Sequence, residues 1–186
     1  VVGGVSDNPQ QRRVWGAAYY QISGMKICDS LGGRGIARLR LSNWVLYGLY
    51  QKGDIRNSEY NIKRHYYYND PTKANFGQEV PFSGPDTLYK ICPSTTKWGQ
   101  YDPNDEFGYA MIKDFILMRL GETYLLQAEA QFDQGKLAAA AASINVLRAR
   151  AFADYPTIGK VSATDITLNF MLDERARELV GEENRR

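Results

Sequence analysis

The sequence is poor in the residues that carry most enzymatic chemistry. It has one histidine, His65, and two cysteines, Cys28 and Cys92, far apart and outside any Cys-x-x-Cys pair. That set cannot build a zinc site from Cys and His, and it supplies no redox dithiol. Two separate reduced thiols and one disulfide are the two states open to the cysteines. No Gly-x-Ser-x-Gly turn is present, so a serine nucleophile has neither its elbow nor a ready base. His65 sits in a Tyr-rich stretch and reads as a packing or surface residue. Charge of one sign is also lacking. With 23 Lys and Arg against 21 Asp and Glu, the net charge of +2 gives no electrostatic case for nucleic acid or acidic lipid. No run approaches the ~20 apolar residues of a membrane helix, and no signal peptide is visible. The chain opens on Val1-Val2-Gly3-Gly4-Val5 without methionine and stops at Arg186 directly after a helical pattern. It is expected to be part of a larger protein.

What is present is enough for a core. A length of 186 residues with 44% hydrophobic content fits one globular unit rather than disorder. Its two parts differ in grammar. Residues 1–110 are rich in Gly, Pro, Asn, Asp and Tyr, with breakers at Asp7-Asn8-Pro9, Leu31 to Gly35, Asn69-Asp70-Pro71, Ser83 to Asp86 and Asp102 to Asp105. This half is expected to be loop-rich, with a short helix over 43–51 and a strand over 61–68. Residues 111–186 read as long helices, so the fold class is mainly α. Helix A is expected from Asp114 as N-cap to Asp133, with Ile116, Leu120, Tyr124 and Ala128 on one face. Gly135 stops it, and helix B follows from Leu137 to Ala151 with Ala140, Ile144, Leu147 and Ala151 as its stripe. Helix C runs from Thr164 to Val180, with Leu168, Leu172, Ala176 and Leu179 on one side and Gly181 at its end.

The turn between A and B is so short that the two must be antiparallel neighbours. Leu120-Gly121-x-x-Tyr124 and Gly135-Lys136-Leu137-x-x-Ala140 fit half of a tetratricopeptide signature, with seven extra residues between them. Seven residues are nearly two helical turns, so the apolar face survives the lengthening. A lone hairpin cannot bury its own faces, and helix C or another part of the protein must cover it.

Several constellations invite a chemical reading. Gly32-Gly33-Arg34-Gly35 lacks both Gly-x-Gly-x-x-Gly and a P-loop Lys-Ser/Thr, so its glycines serve a turn at positive φ or a close backbone approach. Arg34, Arg38 and Arg40 are candidates to meet an anion nearby. Asp102, Asp105 and Glu106 offer oxygens for calcium, though not at EF-hand spacing. Glu122, Glu129, Asp173, Glu174 and Glu178 alternate with Arg119, Arg148, Arg150, Arg175 and Arg177. Interleaved at helical spacing they read as ion pairs, and an arginine neighbour lowers a carboxyl pKa, against the need of a general acid. No catalytic residue, metal or cofactor is therefore assigned. Aromatics remain: 13 Tyr and 3 Trp, mostly in the loop-rich half. Trp15, Tyr19, Tyr20, Trp44, Trp98 and Tyr101 are flanked by Gly, Asn, Asp or Arg. Such rings suit a sugar, which stacks its C–H face while its hydroxyls bond sideways, and they suit a core equally.

Four segments together resemble the RagB/SusD family of Gram-negative nutrient uptake. Asp114 to Ala130 is similar to the family's Arg-Leu-x-Glu-x-x-Leu-x-x-Ala-Glu-Ala helix through Arg119, Leu120, Glu122, Leu125, Ala128, Glu129 and Ala130. Ile144 to Ala151 resembles its Ile-Asn-x-x-Arg-x-Arg-Ala helix. Leu172 to Gly181 with Glu182 to Arg186 resembles its Glu-Arg-x-x-Glu-Leu-x-Gly-Glu motif. Gly53-Asp54-Ile55-Arg56-Asn57, after the Gly-rich turn, resembles its Asp-x-Arg. The resemblance implies a tetratricopeptide-like scaffold carrying a looped, ligand-contacting side. It also implies a surface-exposed outer-membrane lipoprotein that captures a glycan or other nutrient for a SusC-like TonB-dependent transporter. Its lipid-anchor cysteine is missing from this chain, and the matched motifs are scaffold that transfers no binding residue. A tetratricopeptide-type protein–protein adaptor is the second reading, and a glycoside hydrolase using loop carboxylates such as Asp102 and Asp105 the third.

Overall fold

A computed structural model describes residues 11–82, 89–99, 104, 105, 107 and 116–182. The described chain is mainly helical, with two short strands. It divides into two compact units: Val1–Asn43 with Glu59–Asp114, and Trp44–Ser58 with Phe115–Arg186.

The first unit holds a short helix α1 (Gln11–Trp15), single 3-10 turns at Tyr19–Gln21 and Asp29–Leu31, and the antiparallel pair β1 (Ile62–Lys63) and β2 (Ser94–Thr95). Ile62 lies opposite Thr95 and Lys63 opposite Ser94. The strand expected over 61–68 is interrupted after Lys63. The amides of Arg64 and His65 both donate to Glu59 Oε1, at 2.7 and 2.8 Å, and so leave the ladder. Beyond them the chain changes partner, with Val80 N bonding Tyr66 O at 2.8 Å and Tyr68 N bonding Gln78 O at 3.0 Å.

The core of this unit gathers Ala17, Tyr19, Met25, Ala37, Tyr66, Val80, Ile91 and Cys92. Tyr19 and Tyr66 stack with ring centroids 6.3 Å apart. Burying a phenol requires a partner for its hydroxyl. Tyr19 donates to Cys28 O at 2.9 Å and accepts from Cys28 N at 3.0 Å, and Tyr66 donates to Cys92 O at 3.1 Å. The Gly-rich turn behaves as its composition implies. Gly32 and Gly33 have φ of +93° and +67°, and a Cβ on Gly35 would lie 2.1 Å from Ala17 O.

In the second unit α2 (Leu120–Asp133) and α3 (Leu137–Ala151) form a hairpin, and α4 (Leu168–Leu179) packs on α2. Gly135 at φ +71° ends α2, while Lys136 N bonds Gln131 O at 2.9 Å, closing the helix end as a left-handed cap does. Leu125, Ala128, Ala140, Ala141, Ile144 and Leu147 make the hairpin core, completed by Met171 and Leu179 of α4. The fully buried Ala128 and Ala140 have short side chains, which permits the close approach of α2 and α3.

Helix A begins later than expected. Asp114 lies outside the described residues, and Arg119 is extended at φ −139° and ψ 163°, so the first helical residue is Leu120. The buried stripe is Gly121, Leu125 and Ala128, while Leu120 is 69% exposed. Helix C likewise starts late. A 3-10 turn (Ala163–Asp165) precedes it, and Thr167 caps α4 by accepting from Phe170 N at 3.2 Å. The segment expected as a short helix over 43–51 is a π-helical turn, Trp44–Gly48, followed by a 3-10 turn, Ile55–Asn57.

Candidate functional site

The buried carboxylates of the second unit, Asp54, Glu174 and Glu178, are engaged by arginines. Glu174 is fully buried, and its Oε2 accepts from Arg148 Nη1 at 2.7 Å and Arg177 Nη1 at 2.9 Å. Its Oε1 makes an ion contact of 3.0 Å with Arg56 Nη1, off the line of a hydrogen bond. One turn on, Glu178 Oε1 accepts from Arg119 Nη1 at 2.6 Å and from Arg150, and Oε2 from Arg56 Nη1 at 3.1 Å. Arg119 Nε also donates to Glu182 at 2.6 Å. Asp54 completes the network by gripping Arg56 through both oxygens, at 2.9 and 2.7 Å. On the α2–α4 face Arg175 meets Glu122 at 3.2 Å.

Burial alone raises a carboxyl pKa, yet both acids are shifted down. For Glu178 the Arg119 hydrogen bond and the charges of Arg119, Arg150 and Arg56 outweigh desolvation and bring it to about 2. For Glu174 the charges of Arg56, Arg148 and Arg177 do the same. These acids stay ionised at neutral pH and hold no proton to give, so the network is a clasp rather than an acid–base pair. Arg148, only 1% exposed, is sandwiched as well, with its guanidinium 4.8 Å from the Phe152 ring and 5.7 Å from Phe170. It donates to Gly159 O and Gln51 Oε1, tying the loop after α3 and the 44–58 segment to α4.

The six aromatic residues expected at a ligand site are placed differently from one another. Tyr101 lies outside the described residues. Tyr19 and Trp98 are buried, at 0% and 3% exposure, so their rings present no open face. Trp15 and Tyr20 are half-buried in the first unit. Trp44 belongs to the second unit, exposed on the π-helical turn beside the exposed Tyr47.

Tyr20 lines an open pocket of about 370 Å³ with Gln21, Ile36, Ala37, Arg38 and Tyr89. The Tyr89 hydroxyl donates to Gln21 Oε1 at 2.7 Å, holding the amide beside its ring. Tyr20 meets Tyr19 edge-on at 6.2 Å, and the Arg34 guanidinium stands 5.7 Å over its ring. Ala37, on the pocket wall, has φ of +45°, a left-handed conformation uncommon outside glycine and frequent near binding sites. The sequence reading selected Tyr20 and flagged Arg38, but missed Gln21 and Tyr89. Separation hides that pair, 68 residues apart in the chain.

A second concavity of about 380 Å³ runs between α2 and α4, with Leu125, Leu126, Phe132, Leu168, Met171 and Leu172 as its apolar lining. Elsewhere His65 is exposed and paired with Glu79 at 2.6 Å, and both cysteines are free thiols. Among the described residues no group of three or more His, Cys, Asp and Glu is placed to hold a metal, and Asp102 and Glu106 lie outside them. No described helix is long and apolar enough to cross a membrane.

Compared with known families, residues 32–186 match the model described as the SusD family. No curated protein and no solved structure gives a significant match.

Proposed function

The chain belongs to the SusD family, and from that premise we propose that it captures an oligosaccharide at the cell surface and delivers it to a SusC-like, TonB-dependent outer-membrane transporter. The family binds glycans and other nutrients at the cell surface and is non-catalytic. In this reading the protein sits on the outer membrane through a lipid anchor. The observation that carries the sugar reading is the pocket where Tyr20, Gln21 and Tyr89 combine ring faces with an amide. A pyranose stacks its C–H face on an aromatic ring and spends its hydroxyls on groups at the ring's edge. Tyr20, Trp15 and Trp44 are the candidates for direct stacking, while Tyr19 backs Tyr20 from the interior. Calorimetric titration with a panel of oligosaccharides tests this. Binding to at least one series, weakened by Tyr20→Ala, is expected, whereas silence on every glycan alongside tight peptide binding overturns it.

A protein–protein adaptor of tetratricopeptide type is the second reading, favoured by the apolar groove between α2 and α4 and by the exposed Leu117, Met118 and Leu120 where the chain enters α2. Pull-down with a peptide partner, using a Leu126→Glu variant as control, separates the two, since only the adaptor reading requires capture of the peptide through this groove.

A further inference from the structure

The Tyr20–Tyr89 pocket carries a charge that a neutral sugar does not need. Among the described residues that line it, Arg38 is the one basic side chain and there is no Asp or Glu. Most arginines of the second unit are spent in ion pairs, but Arg38 is exposed and, among the described residues, makes neither an ion pair nor a hydrogen bond. Arg34 adds a second guanidinium over the Tyr20 ring. Ala37, the residue immediately before Arg38, holds a left-handed backbone at φ +45°. A pocket whose described lining offers two phenol rings, an amide and a guanidinium with no carboxylate beside it matches a sugar ring that bears an oxyanion.

We propose that this pocket takes an acidic oligosaccharide, with the ring carboxylate of a uronic acid held by Arg38 and the sugar face held against Tyr20 and Tyr89. The proposal rests on the glycan reading above and narrows its ligand. A planar guanidinium pairs with a carboxylate through two parallel hydrogen bonds, which a hydroxymethyl group at the same ring position cannot reproduce. The remaining amide, Gln21, is left for the ring hydroxyls.

The test is calorimetry on the protein with galacturonate, glucuronate and mannuronate oligosaccharides and with their carboxyl-reduced, neutral counterparts. One acidic series is expected to bind at least about tenfold more tightly than its reduced partner, as a charge-assisted hydrogen bond gives. Arg38→Gln should abolish that preference while leaving the melting temperature unchanged, because the side chain is exposed. The preference should also shrink as salt rises. Equal affinity for acidic and reduced forms, a preference that survives Arg38→Gln, or binding confined to other neutral glycans overturns the inference and leaves the glycan reading standing. No binding to any oligosaccharide removes both.

Discussion

Arg119 reaches from the residue before α2 to Glu178 near the end of α4 and donates to it twice, once to the carboxylate and once to the main-chain carbonyl. That reach explains both the extended backbone of Arg119 and the glycine two residues later. A Cβ on Gly121 would stand 2.5 Å from Arg119 Nη1 and 2.8 Å from Glu178 Oε1.

Gly121→Ala should therefore destabilise the protein, although alanine is the better helix former by about 1 kcal/mol. Crowding a buried ion pair costs roughly 1–3 kcal/mol and wins. Gly135→Ala is the contrast. Nothing lies within 4 Å of a Cβ there, so only the left-handed backbone is penalised, by about 1 kcal/mol. Urea unfolding of the two variants measures both, and a stabilised Gly121→Ala would contradict the account of the clasp.

Acid should undo the helical unit. Glu178 titrates at 4.5 when unperturbed and at about 2 in the fold, so the folded state favours its ionised form. The stability it contributes is fully present above pH 4.5 and is lost as pH falls towards 2, with Glu174 shifted in the same direction. Circular dichroism across that window should show helix loss, and Glu178→Gln should flatten the pH dependence. The same variant strips the buried network of one negative charge and should cost about 3–5 kcal/mol at neutral pH.

The two thiols should be told apart by reagents. Burial pushes Cys92 up to about 11, against a smaller opposing effect of Arg40, and the side chain is 1% exposed. Cys28 is only half-buried. In the folded protein at pH 8, Cys28 is expected to react first with a chromogenic disulfide and Cys92 only on unfolding. Equal rates would place Cys92 at the surface.

Trp44→Ala should leave the melting temperature nearly unchanged, since the ring is 42% exposed. If Trp44 stacks on sugar, the variant loses about three- to tenfold in glycan affinity. Trp98→Ala should instead unfold the first unit at lower temperature, because its side chain is core.

The helical hairpin was legible because its signals are local. The boundaries of α3 follow from Gly135 and the Ala-rich stripe, and α4 ends at Leu179 just before Gly181, at φ +77°. The pairing of acids with arginines could also be read, since charges interleaved at helical spacing must answer each other. What the sequence could not reveal was the start of α2, because Arg119 is pulled out of the helix by partners 59 and 63 residues away. The strand after Asn61 failed for the same reason, a side chain, Glu59, taking amides that the ladder needed. In the candidate site Tyr20 and Arg38 were visible as residue types. Tyr89 and Gln21 become neighbours only through the tertiary fold.

Asp54 and Arg56 lie on a stretch of chain that leaves the first unit at residue 44 and returns to it at 59. No single cut can consequently release the helices intact. An expression fragment starting near residue 111 would strand Glu174 and Glu178 without Arg56, and Arg148 without Gln51. Any dissection of this protein must carry the 44–58 segment along, by circular permutation or by supplying it as a separate peptide.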